Sequence, residues 1–323
     1  MSGASNSLSV VYLGGLGRSG STLIERTVGS LPDVCAVGEL VHLWERGLTR
    51  NELCGCGQSF RSCHFWEEVG RRAFGGWDKV DVGSVAHLRQ GVDRNRFITL
   101  LAAPWQPRTF RQKLEAHNRL YEQLYASILE VSGARTVVDS SKHASLAFCL
   151  RTSQRIHLRV VHVLRDSPGV AFSWSKAVRR PEVRDGVSYM RRYSALRVAL
   201  LWNMHNAFFW LLRRRGTETL VLPYEQFIAG PRAATRSVAR FAGLPDDDEA
   251  LRFLSESAVE LSVAHTVAGN PMRFTTGRIG LQSDDDWRSG LPKIKRQLVM
   301  MLTFPVRLAF GYFGVVGRET SRE

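Results

Sequence analysis

The sequence predicts an α/β fold: a parallel β-sheet flanked by helices, P-loop-like, with a largely helical insertion, in one domain over residues 1–323. Three observations predict it. Short apolar runs alternate with segments of helical period, the pattern of a parallel sheet covered on both faces. The first run, within residues 8–30, enters a glycine-rich turn and then a helix. Later runs end in polar or charged residues, and ligands of such sheets bind beyond the carboxyl ends of the strands.

Taken in order, Leu8, Val10, Val11, Tyr12 and Leu13 make the first strand, and Leu23 to Val28 continue as a helix after the turn. Residues 34–37 form a second short strand ending at Gly38-Glu39. Residues 40–134 carry no strong strand signal and form the helical insertion. Its clearest helix is 111–131, where Leu114, Leu120, Tyr121, Leu124, Ile128 and Val131 fall near one face and Gly133 stops the run. Residues 136–139 and 158–164 are further buried strands. The former leads into Ser140-Ser141-Lys142 and the latter into Arg165-Asp166-Ser167-Pro168-Gly169. A helix starts at 170–178, residues 189–215 are mostly helical, 219–223 is a strand, and 231–242 is an amphipathic helix ended by Gly243. Residues 246–257 read as a short acidic helix and 263–291 as loop. Residues 298–317 are long and apolar, but Pro305 and Arg307 argue against a bilayer span and for a buried or membrane-touching helix pair.

Composition bounds the partners. Apolar residues make up 44% of the chain, enough for a sizeable core. The net charge of +14 favours anionic partners. No zinc-finger spacing or basic repeat interleaved with aromatics is present, so nucleic acid is not expected. Residues 1–9 lack the regions of a signal peptide, and five cysteines are an odd number for a disulfide framework. The expectation is a cytoplasmic protein, with peripheral membrane contact allowed by the basic surface and apolar terminus. Nothing in the sequence sets the oligomeric state.

The turn carries the chemistry. From Gly15 it reads G-x-x-x-x-G-S-T, close to the P-loop pattern, with Ser21 where a nucleotide hydrolase has Lys and Arg18 as the only internal cation. Free backbone N–H groups and the positive end of the helix dipole suit an anion there. Glu39, residues 140–142 and residues 165–173 lie at other strand ends, which argues for one shared site.

Gly17-Arg18-Ser19-Gly20-Ser21-Thr22-Leu23 and the stretch from Leu164 to Ser173 together resemble the sulfotransferases that use 3′-phosphoadenosine 5′-phosphosulfate (PAPS). The Gly17–Leu23 stretch is similar to their 5′-phosphosulfate loop. The Leu164–Ser173 stretch is similar to their 3′-phosphate motif, an Arg at a strand end with a Ser eight residues on. The similarity spans Val10 to about Leu291. The Lys-Thr-His segment of the cytosolic phenol and steroid enzymes is absent. The Arg-Ser-Gly-Ser-Thr loop and Gly38-Glu39 are closer to the carbohydrate and tyrosylprotein enzymes, the latter using a Glu after the second strand as base.

The resemblance implies transfer of a sulfonyl group from PAPS to an acceptor hydroxyl, with no metal required. Arg18, Ser19, Gly20, Ser21 and Thr22 would hold the 5′-phosphate, Arg18 also reaching the sulfonate. Arg165 and Ser173 would hold the 3′-phosphate. Glu39 would be the general base, its pKa raised toward working pH by desolvation, and Lys142 would stabilise the leaving oxygen. Asn270, Arg273 and Arg278 would form a late loop folding over the nucleotide, hinged at Gly269 and Gly277. His42 and His143, near strand ends, are reserve bases. The insertion would shape the acceptor pocket. The acceptor could be a carbohydrate, glycolipid, lipid or small metabolite, with the aromatic insertion favouring a partly apolar one. Cys54, Cys56, Cys63 and His64 offer four zinc ligands, but their spacing is not a common finger and reads as a local structural element. Two other readings compete: a P-loop kinase or nucleotide hydrolase with Asp139 as the Mg²⁺ ligand, and a non-catalytic anion- or membrane-binding module.

Overall fold

The structure, a computed structural model, describes residues 7–183 and 187–312. Expectations for residues 1–6 and 313–317 fall outside the described residues. Strands β1 (Leu8–Gly14), β2 (Val34–Gly38), β3 (Thr136–Lys142), β4 (Ile156–Leu164) and β5 (Thr219–Pro223) form one sheet in the order β2-β3-β1-β4-β5. Every pairing is parallel. Helix α1 (Ser21–Val28) connects β1 to β2. Helices α2 (His64–Phe74), α3 (Val82–Val92), α4 (Ile98–Ala102) and α5 (Arg108–Ser132) lie between β2 and β3, in the stretch read from the sequence as a helical insertion. Then come α6 (Ala144–Leu150), α7 (Ser167–Ser175), α8 (Ala195–Arg214), α9 (Tyr224–Ala229), α10 (Pro231–Ala242), α11 (Trp287–Gly290) and α12 (Lys293–Ala309).

Alternation along β1 divides the core. Val10 and Tyr12 point to the face covered by the insertion, α6 and α8, among Trp66, Tyr121, Tyr125, Phe148 and Phe209. Val11 and Leu13 point to the other, among Ile24 and Val28 of α1, Phe227 of α9 and Val238 of α10. A strand buried on both faces must be apolar throughout, which is why these runs are continuous rather than alternating. Each such side chain contributes about 1.5–3 kcal/mol of burial. The register sets Gly14 level with Lys142 on one side and His162 on the other, so the first turn, β3's end and Arg165 share one edge.

Several expectations are corrected. Residues 246–257 form turns, not a helix. Their acidic side chains serve α10 instead: Asp246 pairs with Arg240, and Asp248 lies 2.8 and 2.6 Å from Arg232 and Arg236. Residues 263–291 are not simply loop. They include β7 (Gly277–Gly280), antiparallel to β6 (Ala258–Leu261), and a turn at Pro271–Phe274. β3 runs three residues beyond the predicted 136–139.

The apolar terminus is α12, 17 residues with Pro305 inside, and no described helix is long and apolar enough to cross a membrane. Its inner face has a structural task. Thr303 Oγ1 lies 2.7 Å from Ser167 Oγ, and Arg307 reaches Asp166 at 3.1 Å. With Trp202 Nε1 of α8 donating to the Arg165 carbonyl at 2.9 Å, these contacts fix the turn after β4.

Candidate active site

The P-loop turn departs from β1 at Gly14 and enters α1 through Gly20, which has φ +85°. A Cβ on Gly20 would stand 2.2 Å from the Tyr224 ring, so backbone and aromatic edge touch directly. The N–H groups of residues 18–22 donate to no acceptor among the described residues. Ser19, Ser21 and Thr22 are buried. Arg18 has φ +73°, and its buried Nε and Nη2 have no hydrogen-bond partner. Its guanidinium lies 5.6 Å over Trp174, whose Nε1 donates to the Gly17 carbonyl at 2.9 Å. Burial lowers the Arg18 pKa and the Glu39 carboxylate opposes that. A half-buried cation with unspent donors beside a row of free N–H groups is a cradle suited to a phosphate or sulfonate.

Arg165 stands at the end of β4. Its Nη1 donates to the Arg18 carbonyl at 3.3 Å, so both turns line one cleft. The guanidinium covers Tyr224 at 4.6 Å, and Nη2 donates to Asp284 Oδ2 at 2.8 Å. Ser173 is half-buried on α7 next to Trp174, eight residues beyond Arg165.

Glu39 and Lys142 form an ion pair across β2 and β3. Gly38 makes this possible. It has φ +81°, and a Cβ there would stand 2.2 Å from the Val267 carbonyl. Val267 accepts from Glu39 N at 2.7 Å and donates to Val37 at 2.8 Å, so this distant segment pairs beside the end of β2 and fixes the Glu39 backbone. His42 Nε2 lies 3.4 Å from Glu39 Oε2. Burial pushes the Glu39 carboxyl up, but Lys142, with His42 and Arg46, outweighs it and holds the group at about 2. The expectation of a raised Glu39 pKa is therefore corrected: the chain without ligand holds a fully ionised carboxylate. Burial also lowers His42, to about 3, despite Glu39. His143 stacks edge-on against His42 at 5.7 Å.

Five described non-glycine residues have positive φ, and three of them, Arg18, Lys142 and Ala268, surround this cleft. Such conformations cost about 1–3 kcal/mol each and persist where the fold over-determines them.

Behind the cleft, Glu25 of α1 is buried. Its Oε1 accepts from Gly38 N at 2.5 Å and its Oε2 from Ser140 Oγ at 2.7 Å. Burial raises its carboxyl to about 7. Asp139 is equally enclosed. It accepts from Tyr125 at 2.7 Å and from Ser141, so its oxygens serve protein donors rather than a metal.

The residues expected in a closing loop are placed otherwise. Arg273 is 1% exposed, and its guanidinium donates to the Thr266 and Leu53 carbonyls, both at 2.6 Å. Asn270 Oδ1 accepts from Met272 N at 3.0 Å, capping a turn. Arg278 is exposed on β7, opposite Glu260. Asn270 and Arg273 are internal fasteners here, while a Cβ on Gly269 would stand 3.4 Å from Glu39 Oε1, at the cleft. His64 is exposed at the start of α2, while Cys54, Cys56 and Cys63 gather around His265 instead.

Sequence reasoning missed Tyr224, Trp174, Glu25 and Asp284. Tyr224 had a signal, since it follows a strand's carboxyl end. Glu25 sits among Ser21, Thr22, Arg26 and Thr27, so its sequence surroundings do not mark it. Nothing local marks Asp284.

Residues 10–265 match the family described as the sulfotransferase domain. The chain belongs to that family. The sulfotransferase domain of the olefin synthase from Synechococcus PCC 7002 is similar in fold, with a TM-score of 0.51 at 18% identity, covering 94% of this chain and 96% of that one. The sulfotransferase domain from the curacin biosynthetic pathway gives 0.49 at 13% identity, covering 91% and 96%. No curated protein matches the chain. In this sulfotransferase the five-stranded parallel sheet and its flanking helices are those of the fold, and sulfonyl transfer is the family's general chemistry.

Proposed function

We propose that this sulfotransferase takes its sulfonyl group from PAPS and delivers it to an acceptor hydroxyl by in-line transfer, with Glu39 as general base. One observation carries the reading: the hydrogen bond from Arg165 to the Arg18 carbonyl puts two anion-binding turns on a single cleft, with Glu39 and Lys142 beside them. The P-loop N–H groups, Ser21, Thr22 and Arg18 hold the 5′ end of the nucleotide. Arg165 and Ser173 hold its 3′-phosphate, whose planar-fork recognition suits a guanidinium already fixed over Tyr224. Asp284 occupies that guanidinium in the ligand-free chain and yields to the stronger anion.

In the transfer, the acceptor oxygen forms a bond to sulfur while the bond from sulfur to the 5′-phosphate oxygen breaks. The hydroxyl proton passes to Glu39. The electron pair of the broken bond stays on the phosphate, where Lys142 and the P-loop donors stabilise it. Lys142 links the two ends of this step. Drawn toward an anionic donor, it releases Glu39, and burial then raises the carboxyl toward a useful base strength.

The absence of Lys at position 21 and the enclosure of Asp139 weigh against a kinase or hydrolase. Gly38-Glu39 and the Arg-Ser-Gly-Ser-Thr loop support a carbohydrate- or tyrosylprotein-type enzyme. The acceptor in this proposal is a partly apolar or lipid-linked hydroxyl, met at a membrane surface. The exposed Ile294, Met301, Phe304 and Leu308 on α12, beside Lys293 and Lys295, support that placement.

Incubation with PAPS labelled in its sulfonyl group and a cell extract tests the reading. A labelled acceptor that depends on Glu39 and appears without added ATP supports it. Magnesium-dependent ATP consumption with no labelled product overturns it.

A further inference from the structure

Outside the cleft, four potential ligand atoms meet without any contact to the transfer chemistry. Cys54, Cys56, Cys63 and His265 each offer one such atom, all within 4.8 Å of one another. Cys56 Sγ lies 3.6 Å from Cys63 Sγ. His265 Nδ1 lies 3.2 Å from Cys63 Sγ and 3.8 Å from Cys54 Sγ. A tetrahedral zinc ion, with Zn–S of about 2.3 Å and Zn–N of about 2.0–2.1 Å, requires S···S separations of about 3.8 Å and S···N of about 3.5 Å. The three distances above fall within about 0.3 Å of those values, and no pair among the four atoms exceeds 4.8 Å. A disulfide needs sulfurs about 2.05 Å apart, and all five cysteines are free.

The chain around the sulfurs is closed by its own hydrogen bonds. The hairpin carrying Cys54 and Cys56 is closed by Cys54 N to the Gln58 carbonyl at 2.8 Å and Gly57 N to the Cys54 carbonyl at 2.9 Å. The His265 ring stacks on Phe65 at 4.8 Å, which fixes its plane and aims Nδ1 at the sulfurs.

We propose that Cys54, Cys56, Cys63 and His265 bind one structural zinc ion. The complete Cys₃His set leaves no position for a substrate, so the ion is not catalytic. Its place in the chain gives it a task. His265 precedes Thr266, which accepts from Gly55 N at 3.0 Å, and Val267, which pairs beside the end of β2 and holds the Glu39 backbone. The ion thus staples the insertion to the segment that positions Glu39, across 202 residues of chain between Cys63 and His265.

Metal analysis of the full chain, purified under reducing conditions without chelator from zinc-supplemented cells, tests this independently of activity. The expected result is about one zinc per chain. Cys63→Ser and His265→Ala should lose it, while Cys149→Ser and His64→Ala keep it. A strong chelator should lower the melting temperature of the wild type, and added zinc should restore it. Should Cys63→Ser fail to fold, cobalt substitution of the wild type decides: thiolate-to-cobalt charge-transfer absorption with tetrahedral d–d bands supports the site. Protein free of zinc that takes up no cobalt, a Cys56–Cys63 disulfide in the reduced preparation, or zinc lost equally from His64→Ala overturns it. Sulfonyl transfer could stand or fall without altering any of these readings.

Discussion

Glu39 shows how far a residue's neighbours decide its chemistry. Its position after β2 was readable because Gly38-Glu39 is a contiguous signal. Its low pKa was not, because Lys142 comes from 103 residues away. Replacing Glu39 by Gln should lower turnover by about 10²–10⁴ while His42→Ala lowers it far less; steady-state kinetics on the labelled acceptor checks both. Removing the Lys142 cation should raise the Glu39 pKa, moving the acid limb of the pH–rate profile to higher pH in Lys142→Met. An unshifted limb would separate the two groups. Stability carries the same signs. Glu39, depressed from 4.5 to about 2, contributes stability that is present above 4.5 and lost as pH falls toward 2. Glu25, raised from 4.5 to about 7, contributes stability present below 4.5 and lost as pH rises through 7. Denaturant titrations of Glu25→Gln should therefore show a flatter profile between those values than the wild type. Arg273 illustrates the converse lesson. A late arginine in a glycine-flanked stretch suggests ligand binding, but no local pattern says whether a guanidinium will meet phosphate or two backbone carbonyls.

At the scale of elements, the strands and amphipathic helices were legible where burial on fixed faces imposes a period. Residues 219–223 and 231–242 have the bounds read from sequence. The acidic stretch 246–257 forms turns instead, with Asp246 and Asp248 paired to arginines of α10. The segment around Val267 was read as loop because a single bridge to Gly38 leaves no periodic trace. That bridge makes a sharp prediction. Gly38→Ala forces a Cβ against the Val267 carbonyl as well as an unfavourable φ, whereas Gly133→Ala, at φ +68° with nothing within 4 Å, meets only the unfavourable φ. Denaturant unfolding should find Gly133→Ala costing about 1 kcal/mol and Gly38→Ala distinctly more. Equal losses would mean that the segment carrying Val267 is not held against β2.

For the whole molecule, the sheet order brings turns from β1, β3 and β4 to one edge, and α8 and α12 brace the turn holding Arg165. The same helix α12 exposes Ile294, Met301, Phe304 and Leu308, so Met301→Glu should reduce sedimentation with anionic vesicles while leaving nucleotide binding intact. The two anion-binding turns were legible because each is a short contiguous motif at a strand end. Asp284 on Arg165 and His265 among the cysteines were not, because each partner arrives from more than a hundred residues away. In the proposed binding mode, Arg18 and Arg165 grip two ends of one nucleotide. Calorimetric binding of adenosine 3′,5′-bisphosphate and adenosine 5′-monophosphate, without metal, tests it most directly. The wild type should prefer the bisphosphate, Arg165→Ala should abolish that preference, and Arg18→Ala should weaken both ligands while keeping it. An Arg165→Ala protein that still distinguishes the two nucleotides as the wild type does would contradict the account.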